Sequence, residues 1–269
     1  VRAQVADVVV VTGASGGIGR WISARVSSLA GVTVLVGRDG HRLGATAAQC
    51  SGDVRTVVAD LDVPSSLHPV RGIVANVGPK RLAVVAAAGT IGPIALPGLE
   101  DPLEWEASIQ TNVIGTYRTV QPFLSRMRDN DWGRVVLVSS AQALHGPDPV
   151  MTSYATAKGA VNVYAACLAA HFEGTGVSVC AIHPGDVFTR MGKEILRKAE
   201  SLGPPAAHLA AWGQRIALDG GDDPREAGEL VADILTRPAS WSNGRFLLVP
   251  SSTERHPRTH WAMGVGPRQ

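Results

Sequence analysis

The 269-residue sequence predicts a doubly wound α/β fold, and three observations carry that prediction. Seven short apolar runs, mostly β-branched, recur at 8–11, 32–36, 56–59, 82–88, 135–138, 177–182 and 246–249. Their apolar residues are continuous rather than alternating, which is the pattern of strands covered on both faces, as in a parallel sheet. The segments between them are helical in character. Two open on explicit start signals, Asp101-Pro102-Leu103-Glu104 and Asp223-Pro224-Arg225-Glu226, each with an N-cap, a first-turn proline and a capping-box glutamate. Strand and helix in alternation give one domain over residues 1–250, a seven-stranded parallel sheet flanked by helices, with a polar tail at 251–269.

Composition narrows the function. At 45% hydrophobic the chain buries a large core, and with 18% charged residues and a net charge of +2 it offers no electrostatic case for a nucleic-acid or membrane partner. A small-molecule substrate is the class that remains. Cys50, Cys167 and Cys180 are odd in number, widely spaced and set in apolar stretches, which suits free thiols in a reducing, cytoplasmic compartment. The N-terminus leads into an apolar strand without a charged leader, and no apolar stretch approaches membrane-spanning length. No metal site is expected among the eight histidines: His256 and His260 have i, i+4 spacing, but Pro257 and the missing acid argue against a zinc helix.

The first strand runs into Thr12-Gly13-Ala14-Ser15-Gly16-Gly17-Ile18-Gly19-Arg20, a glycine-rich turn before a helix. Glycines let the backbone approach a pyrophosphate, and a helix N-terminus supplies free amides and partial positive charge. The spacing T-G-x-x-x-G-x-G is neither a P-loop nor G-x-G-x-x-G, and it resembles the classical short-chain dehydrogenase/reductase family. That resemblance implies a Rossmann-like fold and a nicotinamide dinucleotide held by Gly13, Ser15, Gly17, Ile18 and Gly19.

The second strand ends in Val36-Gly37-Arg38-Asp39, where an acid would bond the ribose of NAD and an arginine accommodates the phosphate of NADP. Gly37 stands in the acid's place and Arg38 follows, so NADP(H) is favoured over NAD(H); Asp39 reads as the cap of the next helix. Gly16 lacks the basic residue that some NADP-dependent relatives carry there. By resemblance, Asp60 and Leu61 meet the adenine, and Ala87 and Gly89 line the cofactor site. Ala86-Ala87-Ala88-Gly89 departs from the family's Asn-Asn-Ala-Gly, replacing bracing amides by methyls. The connection from 60 to 82 is short, which implies a reduced helix on that face.

Tyr154-Ala155-Thr156-Ala157-Lys158 sets a phenol and an ammonium four residues apart, on one face of a helix. A nearby cation favours the deprotonated phenol, which makes Tyr154 a candidate general acid/base with a lowered pKa. The family resemblance implies the rest of the catalytic set: Asn112, Ser140 with Ser139 as fallback, Tyr154 and Lys158. Beyond His183, which reads as structural, Pro184, Gly185, Val187 and Thr189 match the family's nicotinamide-binding turn.

The loop 144–152 carries an extra residue relative to many relatives, and His145, Asp148 and Met151 are its candidate substrate contacts. The almost uncharged helix after Tyr154 is expected to be buried all round, partly against another subunit, in a homodimer or homotetramer. Residues 190–221 read as an irregular substrate lid. In it Leu209, Trp212 and Ile216 face substrate or pack the lid, and Lys193, Arg197 and Lys198 meet an acyl-carrier phosphate or solvent. Trp261 and Met263 in the tail are candidates to dock on a neighbour. The resulting expectation is NADPH-dependent ketone reduction. The alternatives are an NAD-dependent alcohol or sugar dehydrogenase and a catalytically silent NADP-binding regulator.

Overall fold

In the computed structural model, which describes residues 4–144 and 148–253, seven strands form one sheet. They are β1 (Ala6–Thr12), β2 (Ala30–Gly37), β3 (Asp53–Val58), β4 (Leu82–Ala86), β5 (Gly133–Val138), β6 (Val177–His183) and β7 (Phe246–Leu248). The order is β3-β2-β1-β4-β5-β6-β7 with every neighbouring pair parallel. The chain therefore winds outward from β1 to β3 and then reverses to β4. That reversal opens a crevice at the C-terminal edge of the sheet, the Rossmann-like arrangement.

The continuous apolar runs are explained by two separate cores. Val8 and Val10 pack against α3 (His68–Val77), α5 (Gly115–Val120) and α7 (Thr152–His171), while Val9 and Val11 pack against α1 (Gly17–Val26), α2 (Gly40–Ala47) and α10 (Arg225–Thr236). The exception is β3, the sheet's edge, where Val58 is 61% exposed. An edge strand has a neighbour on one side only, and here an Asp53–Arg55 pair at 2.8 Å adds charge to it. The short connection before β4 still accommodates the ten residues of α3.

In both helix-start signals the aspartate caps the helix and the glutamate does not close the box. Asp101 caps α4 (Pro102–Ile109), accepting from Leu103 N–H at 2.8 Å. Asp223 likewise accepts from Arg225 N–H at 2.9 Å. The Glu226 carboxylate accepts instead from Ser251 N–H at 3.0 Å and Ser251 Oγ at 2.8 Å, tying the start of α12 (Pro250–Thr253) to α10.

Within the single chain α7 leaves Thr156, Val163, Cys167 and Ala170 as an exposed stripe, with Val163 at 65%, which is the share of burial expected from another subunit. The stripe runs beside α5, where half-exposed Tyr117 rests its ring 6.1 Å from that of Tyr164. One expectation is corrected: the lid is not irregular. It consists of α8 (Arg190–Leu202) and α9 (Ala207–Asp219), with Thr189 Oγ1 capping α8 by accepting from Gly192 N–H at 3.4 Å. Charged residues dominate α8, so its buried Ile195 and Ala199 were too sparse to read as a periodic face. Among the described residues no helix is long and apolar enough to cross a membrane, and no three His, Cys, Asp or Glu side chains group as metal ligands. His145, His256, His260, Trp261 and Met263 lie outside the described residues.

Candidate active site

The crevice holds a cleft of about 390 Å³ lined by residues from both halves of the sheet. At one end Gly13, Ser15, Gly17, Ile18 and Gly19 form its floor, with Asp60, Leu61, Ala87 and Gly89 alongside. Gly13 has φ +69°, and a Cβ there would stand 2.6 Å from Ala88 N, so the turn after β1 lies directly on the backbone leaving β4. The loss of the family's asparagines has a visible counterpart. Thr12, paired across the sheet with Ala86, buries its Oγ1 with no hydrogen-bond partner.

At the tip of β2 a side chain on Gly37 would begin 3.0 Å from Ser15 Oγ and 3.3 Å from Leu43, which leaves little room for an acid. Arg38 lines the cleft and is exposed. Asp39 caps α2, accepting from Arg42 N–H at 3.0 Å. Arg42, which sequence reasoning missed, lays its guanidinium against Gly16, and it lines the cleft with Arg38. It thus supplies positive charge where the glycine-rich turn itself has none. Its position one turn into α2 was the only signal that could have found it.

At the other end lie the four residues of the expected catalytic set. A π-helical turn at Gln110–Ile114 carries Asn112, whose buried amide donates to Thr90 O and Ser108 O, both at 2.9 Å, and whose Oδ1 accepts from Thr90 N–H at 3.2 Å. A Cβ on Gly89 would be 2.7 Å from that Oδ1 and 3.6 Å from Lys158 Nζ, so these groups converge on the backbone after β4. Lys158 Nζ donates to Val138 O at 2.8 Å and lies 5.6 Å from the centre of the Tyr154 ring. Ser139 Oγ reaches the Lys158 carbonyl at 3.4 Å, a bond to the helix backbone, whereas Ser140 hydrogen-bonds the Tyr154 phenol. Ser139 is among the residues lining the cleft, and Ser140 stands behind it, its Oγ also accepting from Gln142 N–H at 3.3 Å. Tyr154 and Lys158 line the cleft; Asn112 stands behind its wall.

The electrostatics correct the expected lowering of the phenol. Burial pushes Tyr154 up to about 12, with the Ser140 hydrogen bond working against it, and pushes Lys158 down to about 8. Desolvation of the charged forms outweighs the attraction expected between them, because the ammonium is turned to the Val138 carbonyl.

Pro184 and Thr189 line the cleft at this end, while Gly185 and Val187 lie behind it, Val187 bridging to Gly221. His183 is buried, its Nδ1 accepting from Ala141 N–H at 3.3 Å, which braces the turn after Ser140. A third apolar cluster joins Ile91, Ile94, Val150, Met151, Tyr154 and Ile195 with Leu209, and Trp212 packs against it. Leu209 and Ile216 are buried, so they pack the lid down. Asp148 is buried too, engaging His208 of α9 and accepting from Val150 N–H at 3.0 Å. Of the basic cluster, Lys198 is spent: its Nζ donates to Gly92 O at 2.8 Å and lies 3.5 Å from Glu194, while Lys193 rests over the Phe188 ring at 5.5 Å.

The family model described as "short chain dehydrogenase" matches residues 7–200. The chain is 29% identical over 251 residues to an acetoacetyl-CoA reductase of Paracoccus denitrificans, covering 92% of this chain and 98% of that one. A structure of a variant actinorhodin polyketide ketoreductase with NADPH superposes with TM-score 0.79 at 22% identity, covering 93% of this chain and 97% of the other. An NAD⁺-bound xylitol dehydrogenase does so with TM-score 0.78 at 22% identity, covering 90% and 97%. Both are similar in fold.

Proposed function

Because the chain belongs to the short-chain dehydrogenase family and is an oxidoreductase of that kind, we propose that it reduces the carbonyl group of a small-molecule substrate with NADPH. The observation that carries this reading is the buried Tyr154, hydrogen-bonded to Ser140 and flanked by Lys158 at the end of a glycine-floored cleft. The cleft's glycines, the N-terminus of α1 and the turn at 184–189 suit a dinucleotide, which when bound supplies the hydride. Gly13, Ser15, Gly17, Ile18 and Gly19 would hold its phosphates, Asp60, Leu61, Ala87 and Gly89 its adenosine side, and Pro184, Gly185, Val187 and Thr189 its nicotinamide.

In this reading Ser140 polarises the substrate oxygen and Tyr154 gives it a proton. A phenol held protonated by burial is a donor, and the alkoxide that develops on a reduced carbonyl is the stronger base. Lys158 carries positive charge below about pH 8, near the developing anion and the ribose hydroxyls. Asn112 keeps the turn after β4 in register with the catalytic helix, close to Lys158 Nζ.

The crowding at Gly37 and the two arginines, Arg38 and Arg42, favour NADPH. Asp39 lines the same end and favours the second reading, an NAD-dependent alcohol or sugar dehydrogenase. A panel of ketones and aldehydes followed by loss of NADPH and of NADH separates the readings. Turnover with NADPH at a higher kcat/KM is the expected result, and a preference for NADH overturns the cofactor assignment. Tight NADPH binding without turnover on any carbonyl moves the protein to the silent regulatory class.

The exposed stripe of α7 beside Tyr117 fits a homodimer or homotetramer, for which light scattering at micromolar concentration is the test; a monomeric mass contradicts it. The three free thiols fit a cytoplasmic setting. In domain terms, residues 1–250 act as one catalytic unit with the lid at 190–221 closing over substrate.

A further inference from the structure

We propose that Asp222 is a positioning residue for the nicotinamide end of the cleft, its buried carboxylate fixing the backbone of the 184–189 loop from behind. Oδ2 accepts from Asp186 N–H at 2.7 Å and from Ser252 Oγ at 2.9 Å. In return Asp222 N–H donates to Asp186 O at 3.0 Å, and the adjacent Gly221 bridges Val187, so two strands of loop are zipped together. Gly185 has φ +93°, and a Cβ there would stand 2.9 Å from Asp222 Oδ2 and 3.1 Å from Val249, so the loop backbone lies flush on the carboxylate. The same loop is approached from the lid, because the Asp186 carboxylate lies 3.6 Å from Arg215 of α9.

The arrangement ties three parts of the chain at one point: the loop after β6, the exit from the lid and the first turn of α12. Ser252 is delivered there because Ser251 is held on Glu226 of α10. A charge-assisted bond to a backbone amide is short and directional, which suits a loop whose own amides must point at a ligand. Asp222 lines no part of the cleft, so it acts through the loop. The inference rests on the reading of 184–189 as the nicotinamide-holding turn, and its test separates the two.

Wild type, Asp222→Ala, Asp222→Asn and Ser252→Ala are titrated, well below their Tm, with the reduced dinucleotide that wild type binds more tightly. The matching fragment without nicotinamide, 2′-phospho-ADP-ribose or ADP-ribose, is titrated in parallel, and nicotinamide fluorescence is recorded. Wild type is expected to prefer the dinucleotide and enhance its fluorescence. Asp222→Ala is expected to lose about tenfold for the dinucleotide and most of that enhancement, with fragment affinity within about twofold. Asp222→Asn retains an acceptor for Asp186 N–H and restores most of the loss, and Ser252→Ala loses about threefold, again for the dinucleotide alone. Equal wild-type affinity for dinucleotide and fragment overturns the assignment of the loop itself. A preference unchanged in Asp222→Ala, or an equal loss for both ligands, overturns the role of Asp222 alone. Should Asp222→Ala not fold, Ser252→Ala decides: a selective loss supports the inference and an unchanged ratio overturns it.

Discussion

The two ends of the cleft are built from different material. The end at the glycine-rich turn is backbone and surface charge: glycines on the floor, an exposed Arg38, a half-exposed Arg42 and an Asp39 occupied with its helix. The other end is buried side chains, with Tyr154, Lys158, Ser140 and Asn112 all withdrawn from solvent and each tied to another element. Solvated charge chooses a ligand at little cost in stability, whereas buried charge does chemistry at a cost the fold must absorb. Substitutions at one end should therefore change which cofactor binds, and at the other end change turnover and stability together.

Lys158→Met gives the largest effect. Turnover should fall at least about hundredfold, the usual scale for a lost preorganised charge. Stability should move the other way. Burial holds Lys158 at about 8, below its ordinary 10.5, so between those values the unfolded chain binds a proton that the native one does not, and stability rises with pH across that window. At pH 7 the native protein carries an unfavourable buried cation. Allowing for the Val138 carbonyl left without its donor, Lys158→Met should gain on the order of 1–2 kcal/mol at pH 7, and the gain should vanish as pH approaches about 10. Thermal denaturation at the two pH values measures the gain and its disappearance, and a variant less stable at pH 7 breaks the contrast between the ends.

Arg38→Ala and Arg42→Ala come next. Each should weaken NADPH binding about tenfold while NADH binding stays within about twofold, with Tm nearly unchanged because neither side chain is buried. Equilibrium titration checks this, and an equal loss for both cofactors removes the phosphate-selecting role. The smallest effect lies at the seam between the halves. Thr12→Val removes a buried hydroxyl that has no partner, so stability should rise by up to about 1 kcal/mol in denaturant titration. A loss of stability instead would mean that the hydroxyl is bonded in solution.

What could be read in the sequence follows the same division. The turn at 12–20, the departure at 86–89 and the Tyr154-Lys158 spacing are local patterns, and the sheet follows from continuous apolar runs that two-sided burial requires. Arg42 was missed because nothing local says that a helix one strand away aims it at Gly16. Asp222 and the Asp148–His208 contact join residues far apart in sequence, so spacing could not reveal them. The direction of the Tyr154 shift was misjudged for a related reason: sequence supplies the neighbouring cation, while the desolvation that outweighs it exists only once the third apolar cluster has assembled around the phenol. The first lid helix, α8, escaped notice because its buried apolar residues are few and its charges many.

The most direct test is Tyr154→Phe, read as two quantities in one preparation: NADPH affinity by fluorescence titration and single-turnover reduction of a carbonyl that wild type accepts. The phenol contributes a proton and the rest of the cleft contributes binding, so affinity should stay within about twofold while reduction falls at least about a thousandfold. Reduction at a rate near wild type would contradict Tyr154 as the proton donor.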